Sequence, residues 1–555
     1  MAGERLHGTD GIRGLVGTCG ANENPIEKLI SQREVSPELF AIIGEATGIV
    51  LRKQEVGKPQ PEDFAPLVVI GWDRRDGNEA LVNSLELGLL KAGCNTQRVG
   101  EVPTPGLHHC LLLLDADAGM MVTASHNPAT DSGVKLLDRD GCKSMPDLEN
   151  LISHEAWSLT STPSMDGEGD GDTLPRFDGL GAYRKHLDEW LKIICSMLDV
   201  STQQWSGVIP HDGMLLDSSG GVATDWFCYE LSQRGIDCDE VSSRQKPINE
   251  GCGAGGFNPT DMWSNNELME SEQDHALLKA LAEKMQNNDG IPPWSEGDIV
   301  AAALDGDGDR CLLLEATEDG ICVVDGDQMA YDWLQAGRLV GLEGQLLAHS
   351  IESDLYLSSA CSDIGVSTIQ TAVGDRWLSN ALMYSPNGSG KLLVGDSMPN
   401  ICGSEDSGHL VMPSPHPLKP RHWGLTGDGA ATLLSQLCAR VALGSNRKIL
   451  ERGWKRRIAV KDVDRIRWDG RNELADEVVK LVEEALPSAT LRRGNIAGES
   501  NLLLLEGSVD GERLSIGIRN SGTEAKTSVT VKSENRSYEE LASQLAEFLR
   551  VHLVP

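Results

Sequence analysis

Asp305, Asp307 and Asp309 occupy alternate positions of DGDGDR, with glycines between them and Arg310 at the end. Three carboxylates so spaced can converge on one hard cation, because glycine lets the backbone turn tightly enough to aim them inward. An EF-hand is excluded: counted from Asp305, its sixth position is Arg310 instead of Gly and its twelfth is Ala316 instead of Glu. Three protein ligands leave room for a phosphate oxygen, which suits Mg2+; an acidic turn without metal is the plainer alternative. DGEGDGD at 166–172 is similarly acidic but follows no apolar strand, and it reads as linker.

Four other loops carry groups that could meet such a cation. RNSGTE at 519–524 follows the strand LSIGI and combines the Arg519 guanidinium, the Ser521 and Thr523 hydroxyls and the N–H groups around Gly522. That donor set suits a phosphate dianion; a hairpin turn would explain Asn520 to Gly522 but not Arg519 or Thr523. In GSEDSGH at 403–409, Glu405 and Ser407 can accept from and donate to vicinal sugar hydroxyls, with a solvated loop as the alternative. HGTDGIRG at 7–14 holds Arg13 in a glycine-rich setting that lets it approach a phosphate, or is a simple turn. TASHNP at 123–128 puts Ser125 just after the apolar run AGMMV. Beside a metal loop and several arginines, that serine reads as a phosphoryl carrier, a phosphoserine. A Ser-His-Asp hydrolase would need a G-x-S-x-G elbow, which residues 123–127 do not form.

The elements that must position these loops follow an α/β grammar. PLVVIG at 66–71 is a strand, 78–93 has helical spacing and ends on Gly93, and Thr104–Leu114 opens a helix with Pro105 in its first turn. Strand–turn–helix order returns at 213–235, and 298–304 is an apolar strand that delivers DGDGDR. After Trp454 the texture changes to a helix at 473–486 and three strands, with Leu514, Ile516 and Ile518 alternating with polar residues. The expected fold is α/β: three similar α/β domains with mixed, largely parallel sheets plus a C-terminal α+β domain around a central cleft. The expected units are 1–163 with the phosphoserine, 177–290, 298–445 with the metal- and sugar-binding loops, and 455–555 with the phosphate loop, joined by linkers at 164–176 and 285–297.

At 555 residues and 40% hydrophobic, the chain can bury several cores. Its 49 basic and 84 acidic residues give a net charge of −35, which disfavours nucleic acid and anionic membrane as partners and demands local Arg and Lys at any anion site. No run approaches the roughly 18 apolar residues of a membrane span, and the start has no apolar signal region. The 13 cysteines form no C-x-x-C pair and read as reduced thiols of a cytoplasmic protein. Nothing in the sequence bears on oligomeric state.

Taken in order, GTDGIRG, TASHNP, DGDGDR, GSEDSGH and RNSGTE resemble the α-D-phosphohexomutase superfamily over nearly the full chain. The resemblance implies reversible exchange between hexose 1- and 6-phosphates through a phosphoserine and a hexose 1,6-bisphosphate, with one Mg2+ per site. It assigns the phosphate to Ser125 and the metal to Ser125, Asp305, Asp307 and Asp309. It sets Arg13, Lys135 and Arg310 around the transferring group, with Lys135 or a nearby polar residue in acid–base work. Sugar hydroxyls go to Glu405 and Ser407, and the other phosphate goes to Arg519, Ser521, Gly522 and Thr523. INEGCGAG, VDGDQM, TAVGDRWL and GLTGDG are most similar to the phosphoglucosamine mutases, with phosphomannomutase/phosphoglucomutase activity as the alternative. Three departures stand out: Ala525-Lys526 where Pro-Leu is usual, Thr527-Ser528 in place of an Ile-Arg pair, and Asp406 where Gln or Met is common. A non-catalytic sugar-phosphate-binding protein would show damage at Ser125 or the Asp triad, and both are intact. A bisphosphate synthase using the same serine is excluded by no motif.

Overall fold

Leu67–Trp72 and Ala118–Val122, the two apolar runs that precede the GWDRRDG and TASHNP loops, pair in parallel. Alternate side chains take opposite faces of the sheet, as strand geometry requires. Val68, Ile70, Met120 and Val122 pack under helices Pro37–Lys53 and Asn78–Lys91, while Val69 and Met121 pack with Leu107 and Leu111 of helix Thr104–Leu113. The computed structural model describes residues 5–20, 22–53, 65–159, 171–270, 273–384, 393–521 and 525–554.

This first sheet has seven strands, in the spatial order Glu34–Val35, Ile12–Val16, Asp131–Asp138, Ala118–Val122, Leu67–Trp72, Asn95–Glu101, Thr173–Leu174. Thr173–Leu174 corrects the linker expected at 164–176: it is a parallel edge strand on Asn95–Glu101, because that edge otherwise leaves backbone groups unpaired. The unit therefore extends past residue 163.

The expected break between 290 and 298 also needs correction. Ile299–Leu304 pairs in parallel with Met214–Asp217, and Cys311–Ala316 and Gly320–Val324 continue the same six-stranded sheet. The DGDGDR loop therefore rides on the second sheet. The third sheet runs Ser367–Thr371, Leu346–Ser350, Ile401–Glu405, His409–Pro415, His422–Gly427, Leu393–Val394. One continuous apolar cluster, including Leu313, Tyr331, Leu347, Leu410 and Leu434, spans both sheets.

The fourth sheet has five strands, all antiparallel, in the order Trp454–Lys461, Lys526–Ser533, Glu512–Asn520, Leu502–Val509, Ala489–Gly494. Ile516, Ile518, Val529 and Val531 pack with helices Glu473–Ala485 and Glu539–Leu553 in a separate core. Among the described residues a small apolar cluster of Ile351, Leu502 and Leu504, flanked by Val373 and Ile496, joins this unit to the third. Ion pairs from Glu352 and Asp406 to Lys455, Arg457 and Arg519 supply much of the remaining contact. Among the described residues no helix is long and apolar enough to cross a membrane.

Candidate functional site

Ser125 lies just beyond strand Ala118–Val122 with φ +55°, a left-handed conformation that costs a serine about 1–2 kcal/mol. The surrounding loop is held by buried polar groups. Thr123 Oγ1 accepts from Ser125 N at 2.8 Å and donates to Asp73 Oδ2 at 2.6 Å. Arg75 donates to Asp73 Oδ2 and to the carbonyls of Ser125, Asn127, Pro128 and Asp131. From the second unit, Asn249 Nδ2 reaches the carbonyls of Ser125 and Asn127 at 2.7 and 2.9 Å. The serine hydroxyl so positioned donates to Asp305 Oδ2 at 2.7 Å. Two loops far apart in sequence thus meet at one hydrogen bond.

Strand Ile299–Leu304 carries the aspartates inward, and Gly308 turns the loop with φ +68°. One ligand oxygen from each of Asp305, Asp307 and Asp309 lies within 4.8 Å of the others. Lys135 Nζ donates to Asp307 Oδ2 at 2.7 Å and Asp309 Oδ2 at 2.9 Å, and Thr104 donates to Asp307. Lys143 pairs with Asp10, Asp309 and Asp375 at 3.3, 3.2 and 2.8 Å. Arg13 pairs with Asp10 and donates to Ala124 O at 3.2 Å, while Arg310 Nε stands 3.9 Å from Asp305 Oδ2. His409 faces Asp375, Glu405 and Asp309 at 3.3, 3.8 and 3.9 Å.

Burial, then the charges of Asp309 and Asp307, raise Asp305 to about 7. Burial pushes Asp309 the same way, but Lys135 and Lys143 hold it well below the usual range. Burial also works against the charge on Lys135, yet Asp10, Asp307 and Asp309 hold it above the ordinary lysine range. Lys135 Nζ thus sits among the carboxylates of the metal-type loop, within hydrogen-bond reach of Asp307 and Asp309.

Ion pairs link five carboxylates (Asp10, Asp305, Asp307, Asp309, Asp375) to four permanent cations (Arg13, Lys135, Lys143, Arg310), and Glu405 joins the cluster through His409. Carboxylates outnumber the permanent cations, and although burial disfavours charge on His409, Asp309 and Asp375 raise it above the ordinary histidine value. Asp307 Oδ1 and Asp309 Oδ1 are buried and accept no hydrogen bond from the described residues. Orphaned carboxylate oxygens carry a desolvation cost that a cation would relieve. Charge, oxygen donors and open acceptors all fit one hard divalent ion.

Glu405 ends strand Ile401–Glu405, and its Oε1 accepts from Gly374 N at 2.7 Å; Ser407 sits half-buried in the following turn. Arg519, near the end of strand Glu512–Asn520, donates to Glu352 Oε1 at 3.1 Å, and its Nε is buried without a hydrogen-bond partner among the described residues. Ser521 N donates to Lys526 O at 2.8 Å. Gly522 and Thr523 lie outside the described residues. Arg519 and Ser521 line a cavity of about 450 Å³ with Arg5, Arg376 and Trp377; Ser125 and the aspartates do not line it. Ser125 is 0% exposed and the three aspartates at most 1%, so a substrate reaches them only if the units part.

Ser125, the Asp triad, Arg13, Lys135 and Arg310 therefore converge, Glu405 joins them through His409, and Arg519 and Ser521 stand apart. Asp10, Thr104, Lys143, Asn249, Asp375 and His409 belong to the same cluster or its supports without having been singled out. Asp10, Asn249, Asp375 and His409 fall inside the motifs HGTDGIRG, INEGCGAG, TAVGDRWL and GSEDSGH; Thr104 and Lys143 carry no local signal.

A buried serine hydrogen-bonded into an acidic, cation-lined loop on stacked α/β units defines an enzyme of phosphoryl transfer. The family model described as phosphoglucomutase/phosphomannomutase, alpha/beta/alpha domain I, matches residues 4–162, and that of domain III matches 325–455. The phosphoglucosamine mutase of Salinispora arenicola is 30% identical over 445 residues, 78% of this chain and 79% of the relative. That of Shouchella clausii is 26% identical over 560 residues, 99% of both chains. A solved phosphoglucomutase/phosphomannomutase family protein from Burkholderia thailandensis shares the fold, with a TM-score of 0.58, 18% identity and coverage of 100% of this chain and 97% of that one. The chain belongs to the α-D-phosphohexomutase superfamily and is a hexose-phosphate mutase.

Proposed function

We propose that the protein interconverts glucosamine 6-phosphate and glucosamine 1-phosphate through a phosphoserine at Ser125. The observation that carries the mechanism is the 2.7 Å hydrogen bond from Ser125 Oγ to Asp305 of the metal-type loop. The sugar assignment rests on the phosphoglucosamine mutases that cover most of the chain at 26–30% identity.

The sugar phosphate enters with its existing phosphate on Arg519, Ser521 and residues 522–523, and with its hydroxyls on Glu405 and Ser407. Its free hydroxyl attacks the phosphorus of phosphoserine: the new sugar O–P bond forms as the Ser125 Oγ–P bond breaks, and the hydroxyl proton leaves to a neighbouring base. The resulting hexose 1,6-bisphosphate turns over in the cleft, and Ser125 takes the other phosphate by the reverse chemistry. Asp305, Asp307, Asp309 and a phosphoserine oxygen would hold one Mg2+, which when bound supplies charge neutralisation at the transferring group. Arg13 and Arg310 neutralise the same group, and Lys135 and Lys143 hold the Asp309 carboxylate ionised and in place. Burial excludes water, which would otherwise hydrolyse the phosphoserine. Free thiols at all 13 cysteines support a cytoplasmic, reducing setting.

The test is a coupled assay of the phosphorylated protein with Mg2+ on glucosamine, mannose and glucose 1-phosphates, with Ser125→Ala as control. A kcat/KM preference for the glucosamine phosphate that vanishes in the variant is the expected result. Preference for mannose or glucose phosphate would overturn the sugar assignment, and no turnover by fully phosphorylated protein would overturn the mutase reading.

A further inference from the structure

Glu352, just past strand Leu346–Ser350, holds two guanidinium groups with one carboxylate. Its Oε1 accepts from Arg519 Nη2 at 3.1 Å and its Oε2 from Arg457 Nη2 at 2.8 Å. The two arginines belong to different strands of the fourth sheet. Arg519 is in register with Ser528 and Arg457 with Thr530, on either side of strand Lys526–Ser533. Ser528 and Thr530 are two residues apart and share a face, so Arg457 and Arg519 project from that same face. The residues between them on that face are the short Ser528 and Thr530, Ser528 being one of the departures noted in the sequence. Arg457 also reaches Asp406 at 3.4 Å, and the charges that hold it protonated include Glu405 of the sugar loop. Arg457 is 37% exposed, whereas the Glu352 side chain it meets is 13% exposed.

We propose that Arg457 is a second guanidinium of the phosphate clamp, and that Glu352 is its internal occupant, displaced when a sugar phosphate binds. The proposal rests on the reading of Arg519 as the phosphate-holding arginine. A carboxylate that takes one guanidinium on each oxygen mimics half of a phosphate: two acceptor oxygens and one charge where the ligand brings three oxygens and close to two charges. Without ligand, Glu352 keeps two like charges from facing each other unpaired and ties the fourth unit to the third. With ligand, the phosphate takes both guanidiniums and releases Glu352. Binding is then an exchange of anions, and the exchange releases one of the ion-pair ties between the third and fourth units.

Inorganic phosphate is the probe, titrated calorimetrically into the full chain at constant ionic strength set with chloride. Glu352→Gln removes the competing charge and is expected to bind phosphate about tenfold more tightly than wild type, and Arg457→Gln about tenfold more weakly. KM for the hexose phosphate should move in the same directions while kcat stays within about twofold, the signature of a binding group. Arg457→Lys should fall between, because an ammonium keeps the charge without the planar fork. Equal phosphate affinity in wild type and Arg457→Gln overturns the proposal. So does weaker binding by Glu352→Gln, which would make Glu352 only a bridge between units, and so does an absence of phosphate binding in all variants. The titration needs no turnover. A protein inactive on every hexose phosphate but with Arg457-dependent phosphate binding would refute the mutase reading and leave the clamp standing.

Discussion

Replacing Arg75 with methionine should disable the enzyme without touching any reacting atom. The Arg75 and Asp73 side chains are both 0% exposed, and the guanidinium bonds one carboxylate and four loop carbonyls. Removing one partner of a buried pair costs about 3–5 kcal/mol. Two features keep the loss near the lower end. Asn249 still serves the carbonyls of Ser125 and Asn127, and Asp73, already raised by burial despite Arg75, can take up a proton. The expected destabilisation is therefore about 3 kcal/mol, read from the urea midpoint. Activity should fall further, because the clamp keeps Ser125 at φ +55°. A loop relaxed by ~1 Å costs on the order of 100-fold in kcat. The double variant Arg75→Met/Asp73→Asn separates the two effects: it removes the unpaired charge and should regain most of the stability, but not the carbonyl bonds or the turnover. Single-turnover phosphoryl transfer from Ser125 is the assay. Wild-type transfer by the stable double variant would refute the idea that Arg75 sets the serine.

Three further outcomes are expected. A Cβ on Gly427 would stand 2.2 Å from His409 Nε2, so Gly427→Ala should displace the imidazole from Asp309 and Asp375. It should lower kcat at a cost of about 1–3 kcal/mol in stability, and unchanged kcat would count against any role for His409. Burial holds His108 down to about 3 and His109 to about 4, against 6.5 when unfolded. Below pH 6.5 the unfolded chain gains protons the folded chain refuses. Stability is full above that pH and falls by roughly 1.4 kcal/mol per unit for each histidine until the folded values are reached. Buried Asp305 and Asp428, raised to about 7, titrate in the opposite sense, so urea midpoints from pH 7.5 to 5 are compared between wild type and His109→Leu. A lessened acid-side loss in the variant is expected, and identical profiles contradict the burial argument. Mg2+ at 100 times its dissociation constant should stabilise the fold by about 2.7 kcal/mol, a thermal shift that EDTA reverses and Asp307→Asn abolishes.

Much of the local architecture is legible in the sequence because its causes are local. Period-2 alternation at Leu514, Ile516 and Ile518 puts all three in the fourth core, and Pro105 does open helix Thr104–Leu113. DGDGDR reads as a metal loop because its ligands and its turn residues lie within six positions. The boundary at 290–298 fails for the opposite reason. Whether Ile299–Leu304 starts a new sheet or closes an old one depends on its ladder with Met214–Asp217, and pairing between distant strands leaves no mark on either strand alone.

The same division holds for the site. Sequence by itself determined which chemical groups exist and how the loops bearing them are built: a serine after a buried strand, three aspartates spaced by glycine, an arginine ending a strand. Tertiary structure alone decided that Ser125 meets Asp305, that Arg75 and Asn249 hold the serine loop, and that Lys135 pairs with Asp307 and Lys143 with Asp375. It alone brought Glu352 between Arg457 and Arg519. Hydrogen bonds and ion pairs act over a few ångströms, and only the packing of separate sheets brings segments more than a hundred residues apart within that reach.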